Sequence, residues 1–169
     1  MRHSKSQRVV YLGLMTGLAI GLHIFESFIP MPVPVPGAKL GLANIISLYV
    51  IINFGLRDAV VVTVLRTVLG SLLSGTFMTI VFYFSFAGGL ISTLLMGAVF
   101  CLFPKAFSVV GISLLGAVTH NLAQIAVASF VVESIYIALY LPYMLAFALP
   151  TGLFVGLTVQ QLKRRYRPS

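Results

Sequence analysis

An arginine in the middle of an apolar segment is the first residue whose type and position suggest chemistry. Arg66 lies nine residues after Arg57, which is about 13 Å along a helix and close to the middle of a bilayer. A charged side chain at that depth is costly, so it indicates a function. We interpret Arg66 as a ligand for an anionic group. The alternative is a buried ion pair with Glu26, which could hold the guanidinium until a ligand arrives.

A second polar group occurs in the apolar stretch that contains THNLAQ. His120 and Gln124 are four residues apart and therefore share one face of a helix, whereas Asn121 is displaced by about 100° and is predicted to reach a neighbouring helix. Their donors and acceptors suit an amide, a heterocycle or a carboxylate. Hydrogen bonding between helices of the bundle is the alternative interpretation.

His23 and Glu26 lie three residues apart near the end of the first apolar segment, again on one helical face. With His120 they could in principle hold a transition metal, but a metal site needs a tighter ligand set. We therefore predict no metal and no cofactor. Lys39 follows in the proline-rich stretch PMPVPVPGAKLGLAN, which we interpret as a lid whose lysine faces a cavity. A lysine that extends to the membrane interface is the alternative.

An aromatic run, VFYFSFAGG, completes the candidate lining. Tyr83 and Phe86 could stack on a ring, and Gly88 and Gly89 would admit close approach, although aromatic residues also face lipid or core. Two basic side chains oppose one carboxylate in this set, which favours a small ligand that bears a carboxylate or a phosphate. The predicted substrate-binding residues are His23, Glu26, Lys39, Asn44, Arg66, Tyr83, His120, Asn121 and Gln124.

The composition indicates the environment in which these residues act. Hydrophobic residues make up 59% of the 169 residues, charged residues make up 8%, and the mean hydropathy is +1.07. So much apolar surface exceeds what a soluble monomer of this size can bury, so we predict an integral membrane protein in the lipid bilayer. The net charge of +8 comes mostly from MRHSKSQR and KRRYR at the two ends, which are typical cytoplasmic flanks. A nucleic-acid partner is not expected.

Six apolar segments set the predicted architecture, because about 20 helical residues cross a bilayer. We predict one all-α domain over residues 1–169, a six-helix transmembrane bundle with cytoplasmic termini and short tails at about 1–8 and 163–169. If the short second and third segments form a re-entrant hairpin, the termini still share one side. The predicted spans are 9–29, 40–54, 59–73, 77–103, 107–132 and 135–162.

Glycines recur at four-residue intervals in the first span. Gly13, Gly17 and Gly21 form a small-residue stripe in GLMTGLAIG, against which another helix can pack closely. The stripe could serve the protein's own bundle or dock another membrane subunit.

Several strings together resemble a known family. FESFIP, PGAKLGLANI, VLGSLLSG, SFAGGLIS and GAVTHNLAQ are similar to the membrane family known as heptaprenyl diphosphate synthase component I. This family is grouped with the Gx transporters and resembles the substrate-binding S components of energy-coupling-factor (ECF) vitamin importers of prokaryotic cell membranes. The resemblance implies a six-helix bundle that captures a small nutrient and works with a coupling subunit and ATPases. It also implies a gate at residues 30–39 and a coupling contact at Gly13, Gly17 and Gly21.

The enzymatic name of the family does not imply catalysis by this chain. Prenyl diphosphate chemistry needs clustered aspartates to hold magnesium, and the sequence contains a single aspartate, Asp58. We therefore expect that the protein is not an enzyme. Two other functions stay open. One is a solitary transporter coupled to protons through Glu26 and His120. The other is a non-catalytic membrane partner in an isoprenoid, quinone or flavin-linked electron-transfer assembly.

Overall fold

The computed structural model describes residues 4–29 and 39–165. The described part is all-helical, as predicted, with six α-helices and one 3₁₀ helix, Ile135–Tyr140. Most of the predicted gate, residues 30–38, lies outside the described residues, as do residues 1–3 and 166–169. The α-helices are α1 (Lys5–Ser27), α2 (Asn44–Phe54), α3 (Leu56–Leu73), α4 (Ile80–Leu102), α5 (Val109–Val132) and α6 (Leu141–Arg165).

Local signals in the sequence explain several helix ends. Ser4 and Gln7 form a capping box, so α1 begins at Lys5 within the stretch predicted to be a tail. Gly55 joins α2 to α3 with φ at 98°, a backbone conformation that glycine adopts without strain. Glu133 ends α5 in the left-handed region with φ at 54°.

Four helical segments of the described part are long and apolar enough to cross a membrane: Lys5–Ser27, Ile80–Leu102, Val109–Val132 and Ile135–Arg164. This finding agrees with the predicted membrane protein. α2 has 11 residues, or about 16 Å of helix, and α3 carries three charged residues among its 18. Six complete crossings and cytoplasmic termini therefore stay predictions.

α2 is the centre of the bundle. It contacts each of the other five α-helices, whereas α1 contacts only α2 and α3 among the described elements. α4 packs between α3 and α5, and α6 packs on α5. A helix that is apolar on all sides is suited to such a buried position.

The apolar core surrounds the C-terminal half of α2. Its fully buried members come from five helices and include Val50, Ile51, Ala59, Met96 and Val159. Large apolar side chains also cover the outside of the bundle, such as Phe28, Phe130 and Ile135, which are 80%, 84% and 76% exposed. An apolar exterior of this kind fits contact with lipid.

Candidate functional site

Polar side chains gather at the N-terminal end of α2, opposite the apolar core. Arg66 of α3 is 3% exposed, and its Nη2 donates a hydrogen bond of 3.0 Å to Oδ1 of Asn44. Its Nε and Nη1 have no hydrogen-bond partner among the described residues. The guanidinium is therefore buried, charged and only partly hydrogen-bonded.

Glu26 does not pair with Arg66. Its Oε1 accepts hydrogen bonds from the backbone N–H of Gly41 and, at 3.2 Å, from that of Leu42. These groups lie just before the N-terminus of α2, where helix geometry favours negative charge. Within the described residues, the ion pair within 4 Å is that of Arg8 and Asp58. The alternative interpretation of Arg66 as the partner of Glu26 is therefore not realised in this structure.

Lys39 is 4% exposed, and its ammonium group bonds to neutral partners on α1. Nζ lies 2.9 Å from Nε2 of His23 and 2.9 Å from Oγ of Ser27. Because the ammonium donates, Nε2 of His23 accepts, which leaves the proton of a neutral imidazole on Nδ1. Burial lowers the pKa of Lys39 to about 8, against the opposing effect of Glu26. The lysine thus fastens the start of the described loop to α1.

The THNLAQ residues divide into two groups. Gln124 Oε1 accepts a hydrogen bond from the backbone N–H of Lys39 at 3.4 Å, and its Nε2 donates to Nε2 of His120 at 3.1 Å. Asn121 instead donates from Nδ2 to the carbonyl of Ala117 on its own helix, at 3.1 Å. The prediction that Asn121 reaches a neighbouring helix is wrong, because the carbonyl one turn earlier takes its amide. Its Oδ1 is buried without a partner.

Glycines allow these polar side chains to pack between the helices. A Cβ added at Gly70 would lie 2.8 Å from Cδ2 of His23, and one at Gly88 would lie 2.8 Å from Cε1 of His120. At Gly89 it would lie 3.2 Å from Nη2 of Arg66. Side chains at these positions would displace the polar cluster.

Tyr83 does not join the cluster. Its side chain is 47% exposed, and its hydroxyl lies 3.6 Å from the sulfur of Met78. Phe82 packs edge-on against it. The structure therefore brings together eight of the nine predicted binding residues, and it places Tyr83 on the outside of α4.

Hydroxyl groups directly below Arg66 were not predicted from the sequence. Thr63 Oγ1 lies 2.9 Å from Oγ of Ser47 and 3.0 Å from Oγ1 of Thr93. The three side chains are at most 1% exposed and connect α2, α3 and α4. Thr63, Thr67 and Ser71 recur every four residues on α3, and this periodicity is the signal that could have revealed the polar side of the helix.

The arrangement gives no support for a metal centre. Among the residues that the structure describes, no three His, Cys, Asp or Glu side chains form a group that could hold a metal ion. His23 and Glu26 are engaged by Lys39 and by the amides before α2.

The glycine stripe of α1 faces away from the bundle. Gly13, Gly17 and Gly21 are exposed, and a Cβ added at any of them would have no other atom within 4 Å. Of the two interpretations of the stripe, packing within the protein's own bundle is therefore not realised.

The fold and the site define a class: a helical membrane protein with a buried, positively charged polar cluster at one end of its central helix. The family model of heptaprenyl diphosphate synthase component I matches residues 15–162, and the chain belongs to this family. The family resemblance predicted from the sequence is thus confirmed. The description of the family as one component of a synthase implies a partner subunit. Neither the curated proteins nor the solved structures contain a match to the chain.

Proposed function

We propose that this protein binds a small anionic molecule inside its helical bundle, as the substrate-binding component of an ECF-type importer. The observation that carries the proposal is the guanidinium of Arg66. It is buried inside an apolar bundle, and its Nε and both hydrogens of Nη1 lack acceptors in the described structure. A carboxylate or phosphate would supply those acceptors and the missing charge.

Energetics support an anion at this position. A buried polar group without a partner costs about 1–3 kcal/mol, and more when it is charged. The polar cluster contains two basic side chains, Lys39 and Arg66, against the single carboxylate of Glu26. Neither basic group has a carboxylate within 4 Å among the described residues. A negatively charged ligand would offset both deficits, whereas a cation would increase them.

Entry of a ligand requires the cluster to loosen. The gap beside Asn44 is too narrow for a water molecule, although it extends between the loop, α5 and α6. Lys39 and Gly41 close the site through bonds to α1 and α5. We propose that these contacts break when a ligand enters and form again around it.

The glycine stripe supports the proposed partner. Gly13, Gly17 and Gly21 form a flat outward strip on α1, with the exposed side chains of Leu14 and Leu18 beside it. Small residues at such spacing allow close helix packing inside a membrane. We propose that the coupling subunit of the importer, together with its ATPases, docks here.

Native mass spectrometry of the protein purified in mild detergent tests the ligand proposal. We expect a bound small molecule on the unmodified protein and on Arg57→Ala, which removes an exposed arginine of the same helix. We expect Arg66→Ala to lose it. A ligand of positive charge that Arg66→Ala retains would contradict the proposal. Once its mass identifies the ligand, uptake by cells with and without the ATPases tests the importer assignment.

A second candidate function rests on the family itself, which is described as a component of a synthase. In that case the protein is a non-catalytic membrane partner of a prenyl diphosphate synthase. The single aspartate, Asp58, is already bonded to Arg8 at 2.6 Å, so magnesium-dependent chemistry would belong to the partner. Stable co-purification with a prenyl diphosphate synthase, without a captured small molecule, would favour this function over the importer.

A further inference from the structure

Ser85 of α4 is a buried serine that no function has yet absorbed. It precedes Gly88 by three residues and Gly89 by four, so the three share one face of the helix. Gly88 packs against His120 of α5, and Gly89 packs against Arg66 of α3. The angular position of Ser85 lies between those two glycines, which directs it to the interior of the bundle, one turn nearer the start of α4.

The hydroxyl of Ser85 is unusual because nothing satisfies it. The residue is 5% exposed, and its Oγ has no hydrogen-bond partner among the described residues. Hydroxyls inside helices commonly bond to a carbonyl of the preceding turn. Thr67 and Ser92 do so here, with bonds of 2.8 Å to the carbonyl of Thr63 and 3.1 Å to that of Gly89. Ser85 is therefore free to donate to a ligand.

We infer that the hydroxyl of Ser85 binds the same anionic group as Arg66 and helps to determine which anion the site accepts. This inference rests on the proposed ligand-binding function. Arg66 has three N–H bonds without acceptors, one on Nε and two on Nη1. A carboxylate or phosphate has at least two oxygens, so it can accept from the guanidinium of α3 and from the hydroxyl of α4 together. The ligand would then join the two helices.

A binding role and a structural role predict opposite changes in stability. If Ser85 contributes to folding, its removal lowers the unfolding temperature. If the hydroxyl serves a ligand, the empty protein keeps an unpaired buried polar group, and its removal is neutral or stabilising. Ser92 is the matched control, because it is a buried serine of the same helix whose hydroxyl is already bonded.

The experiment measures thermal unfolding of the whole protein in detergent micelles. Sodium phosphate or sodium acetate is titrated at constant ionic strength, and the two series show whether a phosphate or a carboxylate fits better. We expect the concentration for half-maximal stabilisation by the better anion to rise about tenfold in Ser85→Ala, which corresponds to about 1.4 kcal/mol. The unfolding temperature without anion should stay equal or rise. Ser92→Ala should lower that temperature and leave the half-maximal concentration unchanged.

The outcomes separate this inference from the proposed function. If Arg66→Gln abolishes anion stabilisation while Ser85→Ala leaves the half-maximal concentration unchanged, the inference is wrong and the proposed function stands. A lower unfolding temperature for Ser85→Ala with unchanged anion binding would give the hydroxyl a structural role. If neither anion stabilises the unmodified protein, the proposed function fails, and the inference fails with it.

Discussion

The two ends of α2 differ in how completely their contacts are satisfied. Around its C-terminal half, apolar side chains such as Val50, Ile51 and Met96 are at most 1% exposed and pack against one another. Around its N-terminal end, Arg66 and Asn121 are equally buried but retain polar atoms without partners. Both ends exclude solvent, and only one has bonding capacity left over.

This difference assigns separate roles to the two ends. A packed apolar region stabilises the fold, since each buried contact is already made. A buried polar region with unpaired donors destabilises the empty protein, and a ligand can recover that energy. Stability and binding should therefore respond to substitutions at different ends of the same short helix.

The largest effect on stability is expected at the apolar end. Ile51→Ala removes a side chain that is 1% exposed and leaves a cavity, so the free energy of unfolding should fall by about 2–5 kcal/mol. Ligand binding should stay within threefold of the unmodified value, because Ile51 is seven residues from Asn44. Chemical denaturation in micelles and a ligand titration measure the two quantities. A loss of affinity that matches the loss of stability would contradict the division of roles.

A smaller effect is expected where the two regions adjoin, at Glu26. Glu26→Gln keeps a hydrogen-bonding oxygen but removes the negative charge that faces the amides of Gly41 and Leu42. The free energy of unfolding should fall by about 1–2 kcal/mol, the upper range for a charge at a helix terminus. Glu133→Gln, which changes an exposed carboxylate, is the control and should have no comparable effect. Equal stability of both variants would show that Glu26 does not support the start of α2.

The sequence predicted the depth of residues better than their direction. Hydropathy and helix length placed Arg66, His120 and Gln124 inside the bundle, and the structure agrees. The rotation of α4 was not predictable in the same way, because this helix is apolar on all sides and has no polar face to indicate its orientation. Tyr83 was therefore predicted to line the site and Ser85 was overlooked, whereas the structure places Tyr83 outside and Ser85 within.

Contacts between distant segments were also beyond the sequence. The predicted pairing of Glu26 with Arg66 followed from their opposite charges. It did not take into account that the backbone before α2 would arrive at the end of α1 with N–H groups in need of acceptors. The same limit applies to Lys39, whose partners on α1 lie 12 and 16 residues earlier in the chain.

The smallest effect, a dependence on pH, opposes stability and binding at one residue. The pKa of Lys39 falls from 10.5 to about 8 through burial, with Glu26 opposing the change and Arg66 adding to it. Below pH 8 the lysine is charged in both the folded and the unfolded protein. Between about pH 8 and 10.5 the unfolded chain binds more protons than the folded one, so the free energy of unfolding rises with pH across that window. Lys39→Met should flatten this rise, and Lys105→Met, at an exposed lysine, should not.

Anion binding should change in the opposite direction across the same window. As Lys39 loses its charge above about pH 8, the cluster holds less positive charge, and the affinity for acetate or phosphate should fall by about threefold, since the lysine acts at a distance through its field. Titrations of the unmodified protein at pH 7 and pH 9.5, repeated with Lys39→Met, measure this loss. If both proteins lose affinity equally, the change comes from another group, and Lys39 serves only to fasten the loop to His23 and Ser27. A loss confined to the unmodified protein would make Lys39 part of the electrostatics of the site, although its ammonium group points away from Arg66 toward α1.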